Sequence, residues 1–434
     1  MPSFQPSRRE LLRGAVATTV VGSCVSVSPG VARRPGGAEM LRVGLVGCGG
    51  RGTGAAVNAL RADPNVKLWA MADVFSDHLE SSLSALSSSE DSADLVAKVD
   101  VPPERRFVGW DAYKDLIACC DVVLLATSPH FRPLHLTAAV AAGKHVFVEK
   151  PVATDAPGVR AVQAACALAR QKGLSVVTGL CYRYEHKKRA TLRRLHDGAI
   201  GDIVALHTTY NAGALWHRGR KPEWSEMEYQ MRNWLYFNWL SGDHIAEQHI
   251  HSLDKLAWAM GEYPVRCLST GGRATRIEPE YGNVYDHFST VYEWKNGVKG
   301  FAYCRQWAGA VQTEVSDWVF GTRGRCNIQE GAIDGGAGWS WRWRPEREDQ
   351  ADDMYQNEHD ALFAAIRSGE PIDDGDTMCN STLMALMGRM SAYSGQALTW
   401  EQAWNSQEDL RPKSYAWGPL ETAPVARPGV TQFA

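Results

Sequence analysis

An apolar run, 41–46, leads directly into Gly47-Cys48-Gly49-Gly50-Arg51-Gly52, and a helix-like stretch, 55–61, follows. A G-x-G-x-x-G turn with a strand before it and a helix after it is the fingerprint of a dinucleotide-binding βαβ unit. Gly47 makes the tight turn, Gly49 lets a pyrophosphate approach the backbone, and Gly52 lets the helix pack on the strand. Gly50 and Arg51 complete the loop, and the helix start offers free N–H groups to phosphate oxygens. Asp73 ends the next strand, where a carboxylate accepts hydrogen bonds from a ribose diol and repels a 2′-phosphate. Val74 follows it rather than a basic residue, so the expected cofactor is NAD, with NADP disfavoured.

Strands and helices then alternate. Apolar segments at 66–72, 121–127 and 145–148 read as buried strands, and 112–118, 134–142 and 156–172 read as helices. Such alternation predicts an α/β chain with an N-terminal Rossmann, doubly wound parallel sheet. Past residue 187 the texture changes to alternating β segments at 204–210, 266–270, 284–294, 298–306 and 312–321, separated by Gly-containing turns. These predict a C-terminal α/β domain with a large, mostly antiparallel open sheet. The expected division is a signal and linker (1–38), an NAD-binding Rossmann domain (39–152), a substrate and oligomerisation domain (153–406) with elements free to return to the first, and a tail (407–434).

Glu149-Lys150-Pro151 closes the strand that begins at His145. A residue at the carboxyl end of a parallel strand faces the ligand crevice, and Pro151 keeps Lys150 out of the helical region. Taken with the Gly-rich turn and with Thr127-Ser128-Pro129-His130 after the preceding strand, this E-K-P motif resembles the Gfo/Idh/MocA family, the glucose–fructose oxidoreductase and inositol dehydrogenase group, over roughly 40–404. The resemblance implies a catalytic Lys150 beside the nicotinamide and substrate hydroxyl, with Glu149 orienting it or facing the cofactor. It also implies that Thr127, Pro129 and His130 border the cofactor.

The family's second signature, D-x-x-x-H-x-x-D, is approximated by Glu247-Gln248-His249-Ile250-His251-Ser252-Leu253-Asp254. Glu247 stands where Asp is usual and His249 where Gly is usual. On one helix Glu247 and His251 share a face, so Glu247 is expected to orient a catalytic His251, with Asp254 near the substrate. His244, His249 and His251 with Asp243 and Glu247 also form a metal-capable cluster, although no H-E-x-x-H spacing appears and the family implies no metal. The segment 179–184, after the 174–179 strand, resembles the family's segment bearing a polar or aromatic residue before Arg, so Tyr182 and Arg183 either bind substrate hydroxyls or serve as a core Tyr and a salt-bridged Arg. Trp216, Trp224, Trp234 and Trp239 mark an aromatic insertion suited to a glycan cleft or a subunit interface. Trp339, Trp341 and Trp343 would share one face of a strand.

The N-terminus carries Arg8-Arg9 and then an apolar stretch, 14–27. That pattern is an export signal, here of the twin-arginine type, and is too short for a membrane span. Cys24 sits in a loose lipoprotein box, which leaves a lipid anchor open. The chain has 10 Cys, mostly scattered singly, and no disulfide framework is expected. A net charge of −3 offers nothing to nucleic acid or anionic lipid. The expected activity is oxidation of a sugar hydroxyl by tightly bound NAD in a periplasmic or cell-envelope homo-oligomer. A redox-neutral glycoside hydrolase or lyase that uses NAD transiently, or a non-catalytic NAD- or sugar-binding module, are the alternatives.

Overall fold

The computed structural model describes residues 39–88, 93–345 and 352–433. Arg8, Arg9 and Cys24 lie outside them. Six strands form the first sheet: β1 (Leu41–Val46), β2 (Val66–Asp73), β3 (Arg106–Val108), β4 (Val122–Leu125), β5 (His145–Val148) and β6 (Val176–Thr178). All pair in parallel in the order β3-β2-β1-β4-β5-β6. Continuous Val and Leu runs suit this sheet because helices cover both faces, and every residue of β4 is buried. The order reverses between β1 and β4, which opens the ligand crevice at the carboxyl ends of those strands.

The sheet extends beyond the expected limit at residue 152. Helix Ala156–Lys172 and β6 belong to its layer, because β6 pairs with β5. A later element also returns to it. Helix Met354–Ser368 packs on helix Gly50–Ala62, joined by Asn58 and Gln356 at 3.0 Å and by Arg367 and Asp63 at 2.7 Å.

The second sheet has nine strands: β7 (Ile203–Ala212), β8 (Arg266–Gly272), β9 (His287–Glu293), β10 (Lys299–Gln306), β11 (Glu314–Gly321), β12 (Arg325–Asn327), β13 (Ala332–Asp334), β14 (Ser340–Arg342) and β15 (Leu398–Thr399). Pairing is antiparallel except between β7 and β10. Burial alternates along β9 and β10, so one face is packed and the other open. The packed face lies on helices Ile250–Met260 and Gly375–Ser394. Of the three alternating tryptophans only Trp341 falls on a strand, β14, while Trp339 is exposed.

One buried ion pair fixes helix Ile250–Met260 to this sheet. Lys255 and Asp317 of β11 are both fully buried and in direct contact, and Lys255 Nζ also donates to Gln329 Oε1 at 2.8 Å. Removing one partner strands the other charge away from water. Asp317→Asn or Lys255→Met should each cost about 3–5 kcal/mol, while the apolar pair Lys255→Met with Asp317→Leu should recover most of it. Urea midpoints of the three variants check this; equal losses in singles and double would refute it.

Candidate active site

At the carboxyl end of β1 the backbone turns at Gly47, with φ +95°, and a Cβ there would lie 2.6 Å from the Thr127 nitrogen. A Cβ on Gly52 would collide with the Gly47 carbonyl. These two glycines therefore serve packing. Gly49 and Gly50 have nothing within 4 Å of an added Cβ, so they leave open space above the first turn of helix Gly50–Ala62. That empty cradle at a helix N-terminus fits a pyrophosphate. Beside it lies a half-open pocket lined by Gly49, Asp73, Trp110, Thr127, Met231 and Trp234, among others.

Asp73 faces this pocket from the end of β2. Its carboxylate accepts from the Cys48 N–H at 2.6 Å and from the Phe75 N–H at 2.9 Å, tying the glycine turn to the next loop. Burial raises its pKa, and the two N–H donors oppose that. Thr127 lines the same pocket, as do Ser128 and Phe131. Pro129 opens the turn Pro129–Phe131. His130 is turned elsewhere: its Nε2 meets the Tyr415 hydroxyl at 2.8 Å and its ring lies 4.9 Å from Trp239. Arg51 also departs from the expected cofactor role. Its Nε pairs with Glu149 at 2.8 Å while its guanidinium covers the Tyr355 ring. Glu149 fits only because residue 179 is glycine, where a Cβ would lie 2.5 Å from its Oε2.

Lys150 stands at the end of β5, the neighbour of β4. The Lys150–Pro151 peptide is cis. Its ammonium reaches into the second domain and donates to Glu247 twice, to Oε1 at 3.1 Å and to the backbone carbonyl. Glu247 and His251 do not share a helix as expected. Helix His244–Glu247 ends there, and a second helix, Ile250–Met260, begins after Gln248 and His249. Glu247 is thus spent on Lys150, and the expected orienting contact to His251 is replaced. His251 instead sets its ring edge-on to Tyr182, 5.2 Å away, with its buried Nδ1 unpartnered. Burial, then Lys150 and Lys255, hold its pKa well below the usual imidazole range, so it is a neutral proton acceptor. The Tyr182 ring also receives the Lys255 ammonium at 4.3 Å and that of Lys188 at 5.2 Å.

Of the two readings of Arg183 the salt-bridged one holds: Arg183 and Asp254, the latter expected at the substrate, are committed to each other. Arg183 Nε meets Asp254 Oδ2 at 2.8 Å, Ser381 donates to the same carboxylate at 2.6 Å, and Asp254 is buried. Their role is to join the segment after β6 to helix Ile250–Met260. Two contributors went unread in the sequence, and a third, Asp243, was read there only as part of a metal-capable cluster. Tyr210 of β7 comes to 6.3 Å from the buried His249 ring, neither of whose nitrogens has a partner. Gln248 accepts from Gln306, which accepts from Arg276 at 2.7 Å, a chain running from the loop between the two helices to the sheet. Asp243, with φ 71° and ψ 163°, occupies backbone space that favours glycine. Its carboxylate offsets that strain by accepting from His244 N–H at 2.6 Å, Tyr285 N–H at 2.8 Å and the Tyr393 hydroxyl at 2.6 Å. No local pattern flags Tyr210 or the Gln248–Gln306–Arg276 chain, and the acidic and His pattern around Asp243 pointed to a metal rather than to this anchoring role. Among the described residues, no group of three His, Cys, Asp or Glu is arranged to hold a metal.

Residues 41–180 match the oxidoreductase family with the NAD-binding Rossmann fold, and 189–327 match the GFO/IDH/MocA C-terminal domain. The chain belongs to this family, and its cofactor is NAD. Among curated relatives, the 2,7-anhydro-N-acetylneuraminate hydratase of Escherichia coli is 25% identical over 41% of this chain and 43% of its own. The inositol 2-dehydrogenase of Cereibacter sphaeroides is 27% identical over 54% of this chain and 59% of its own. The chain thus spans about half the length of the curated relatives it matches. Among solved structures, scyllo-inositol dehydrogenase of Lactobacillus casei with NAD(H) and scyllo-inositol superposes with a TM-score of 0.61 at 17% identity, covering 84% of this chain and 100% of that one.

Several imidazoles in and around the site are buried and neutral. Burial lowers His130 to about 4 and His135, His249 and His359 to about 3. The unfolded chain protonates them near pH ~6.5. Below that pH it takes up protons that the folded chain refuses, so stability falls as pH falls, by up to about 1.4 kcal/mol per pH unit for each group. The melting temperature should therefore drop steeply between pH 6.5 and 5; a flat profile across that window would contradict the assignment of these imidazoles as neutral.

Proposed function

We propose that this protein oxidises a hydroxyl of a sugar or sugar derivative, with the hydride passing to a tightly held NAD. The observation that carries the reading is the Lys150 ammonium, lodged at a strand end one strand from Thr127 and near a neutral His251 whose Nδ1 is buried and unpartnered. NAD supplies the hydride acceptor, which no side chain provides. Lys150 hydrogen-bonds the substrate oxygen and stabilises its developing negative charge. His251 takes the hydroxyl proton; its depressed pKa keeps it in the neutral form that can accept one, at a cost in base strength. Glu247 positions Lys150, and Tyr182 holds the His251 ring from the side. A pure binding module has no use for such a proton-handling pair.

A second reading keeps the same residues and returns the hydride at the end of the cycle, so that the net change is addition or loss of water or cleavage of a glycoside. The relationship to a hydratase supports it. One experiment separates the readings. The protein is purified without added nucleotide, its bound NAD measured, and sugars and glycosides screened for both NADH and released aglycone or hydrated product. NADH release supports net oxidation; product without NADH supports the neutral cycle. In either cycle Lys150→Met should lower turnover by roughly two to four powers of ten while NAD stays bound. Undiminished turnover would remove Lys150 from the chemistry.

We also propose twin-arginine export of the folded, cofactor-loaded protein to the periplasm or cell envelope. Replacing Arg8 and Arg9 with Lys should leave folded protein in the cytoplasm, and continued export would refute it. Acyl labelling at Cys24 decides whether the exported protein is anchored. The open face of the second sheet supports a homo-oligomer. Leu268, Val291, Phe301, His207 and Trp318 form one cross-strand row on it, and such an apolar row suits a second copy. Phe301→Glu with Trp318→Glu should shift the mass seen by light scattering toward the monomer; an unchanged mass would exclude this face.

A further inference from the structure

Residues 407–433 contain no regular helix or strand, yet they are tied down along their length. Glu408 contacts the buried Arg389, and the Leu410 N–H donates to Asp155 at 3.2 Å. Farther on, Met227 N–H donates to the Gly418 carbonyl at 3.1 Å and Gln230 to the Thr422 hydroxyl at 3.0 Å. Tyr285 donates to the Ala426 carbonyl at 2.9 Å, and Gly429 N–H to that of Ser394 at 2.9 Å. The segment therefore leaves the second domain, crosses the Rossmann domain, touches the aromatic insertion and returns.

Its crossing point is the dinucleotide pocket. Phe75 and Trp110, from the loops after β2 and β3, line that pocket near Asp73. The Trp417 ring stacks on Phe75 at 5.4 Å and lies 4.8 Å from Trp110. Tyr415 lies 5.8 Å from Trp110 and 5.5 Å from Phe131, with its hydroxyl on His130. From the other side the insertion contributes Met231 and Trp234 to the lining. Arg232 covers Phe75 at 4.0 Å and pairs with Asp77 at 3.0 Å. The pocket wall near the ribose-binding carboxylate is thus built from three separate chain segments.

We propose that the C-terminal segment is a component of the NAD site, in which Trp417 and Tyr415 clamp Phe75 and Trp110 and so slow the departure of the adenosine end. This deepens the reading of NAD as a resident cofactor and rests on it. Trp417 does not itself line the pocket; it is a positioning residue that acts through Phe75 and Trp110. It is also 45% exposed, so its removal leaves little core behind it to collapse.

The test is the rate at which the full-length protein releases NADH, followed by fluorescence after displacement with excess NAD, with no sugar present. Trp417→Ala should speed release roughly tenfold, the scale of two lost ring contacts, while the melting temperature of the nucleotide-free protein stays at the parent value. Trp417→Phe, which keeps a ring, should restore slow release. Tyr415→Phe, which loses only the bond to His130, should fall between parent and Trp417→Ala. Unchanged release in Trp417→Ala overturns the proposal. So does faster release joined to a lower melting temperature that Trp417→Phe fails to restore, because a purely structural role behaves that way. A parent protein that releases NADH quickly, with Trp417→Ala quicker still, would sink the resident-cofactor reading and leave the clamp standing.

Discussion

The contact between Lys150 and Glu247 joins the two halves of the molecule at the point where chemistry is expected. Lys150 is delivered by the end of a Rossmann strand, Glu247 by the end of a short helix in the second domain. Two acceptors, a carboxylate and a main-chain carbonyl, hold one ammonium, so its direction is fixed by two groups rather than one. A flexible four-carbon side chain otherwise loses rotamer freedom on being ordered. That the second acceptor is a backbone atom ties the ammonium to the exact course of the chain at residue 247, and therefore to everything that sets that course.

What sets it is a group of buried polar anchors behind the site. Asp243 holds a backbone shape that ordinarily costs of order 1–3 kcal/mol for a residue with a side chain. Its hydrogen bonds to two tyrosines and to His244 offset that cost. Helix Ile250–Met260, which starts two residues after the break, is then fastened on both sides. Asp254 is bound to Arg183 and Ser381 on one side, and Lys255 to Asp317 and Gln329 on the other. His251 sits at the head of a helix with charged fasteners on neighbouring residues, so its ring has little freedom to shift. Both groups proposed for proton and charge handling owe their positions to buried ionic contacts, an arrangement that trades stability for fixed geometry.

The parts legible in the sequence were those written in local geometry. The glycine turn, Asp73 at a strand end and Lys150 before a proline each follow from a handful of adjacent residues, and the alternation of apolar segments gave the two sheets. What escaped depended on distant contacts or on a silent break. Gln248 and His249 carry no Gly or Pro signal, so the four-residue spacing of Glu247 and His251 looked like one helical face when two helices were present. Arg183 could be read as substrate-binding or salt-bridged, and nothing local reveals that its partner is Asp254, 71 residues away. His130 was drawn away from the cofactor by Tyr415, 285 residues later. The Rossmann sheet outran its expected border because its last strand follows the E-K-P motif, whose place at a strand end reads as a terminus.

The placement of the insertion bears directly on how such a site turns over. A dehydrogenase that exchanges NAD each cycle needs an open route to the dinucleotide pocket. Here Met231 and Trp234 form part of the pocket lining, and Arg232 is held over the same edge by Asp77 and Glu228. Walls made by segments far apart in sequence move only when several contacts break together, which makes passage slow relative to a pocket bounded by one loop. The residues proposed to handle the sugar, Lys150, His251 and Tyr182, do not line this pocket. Exchange of substrate therefore need not open the adenosine end. Under the proposed function, a site divided in this way suits a cofactor that is reduced and reoxidised in place rather than exchanged at each turnover.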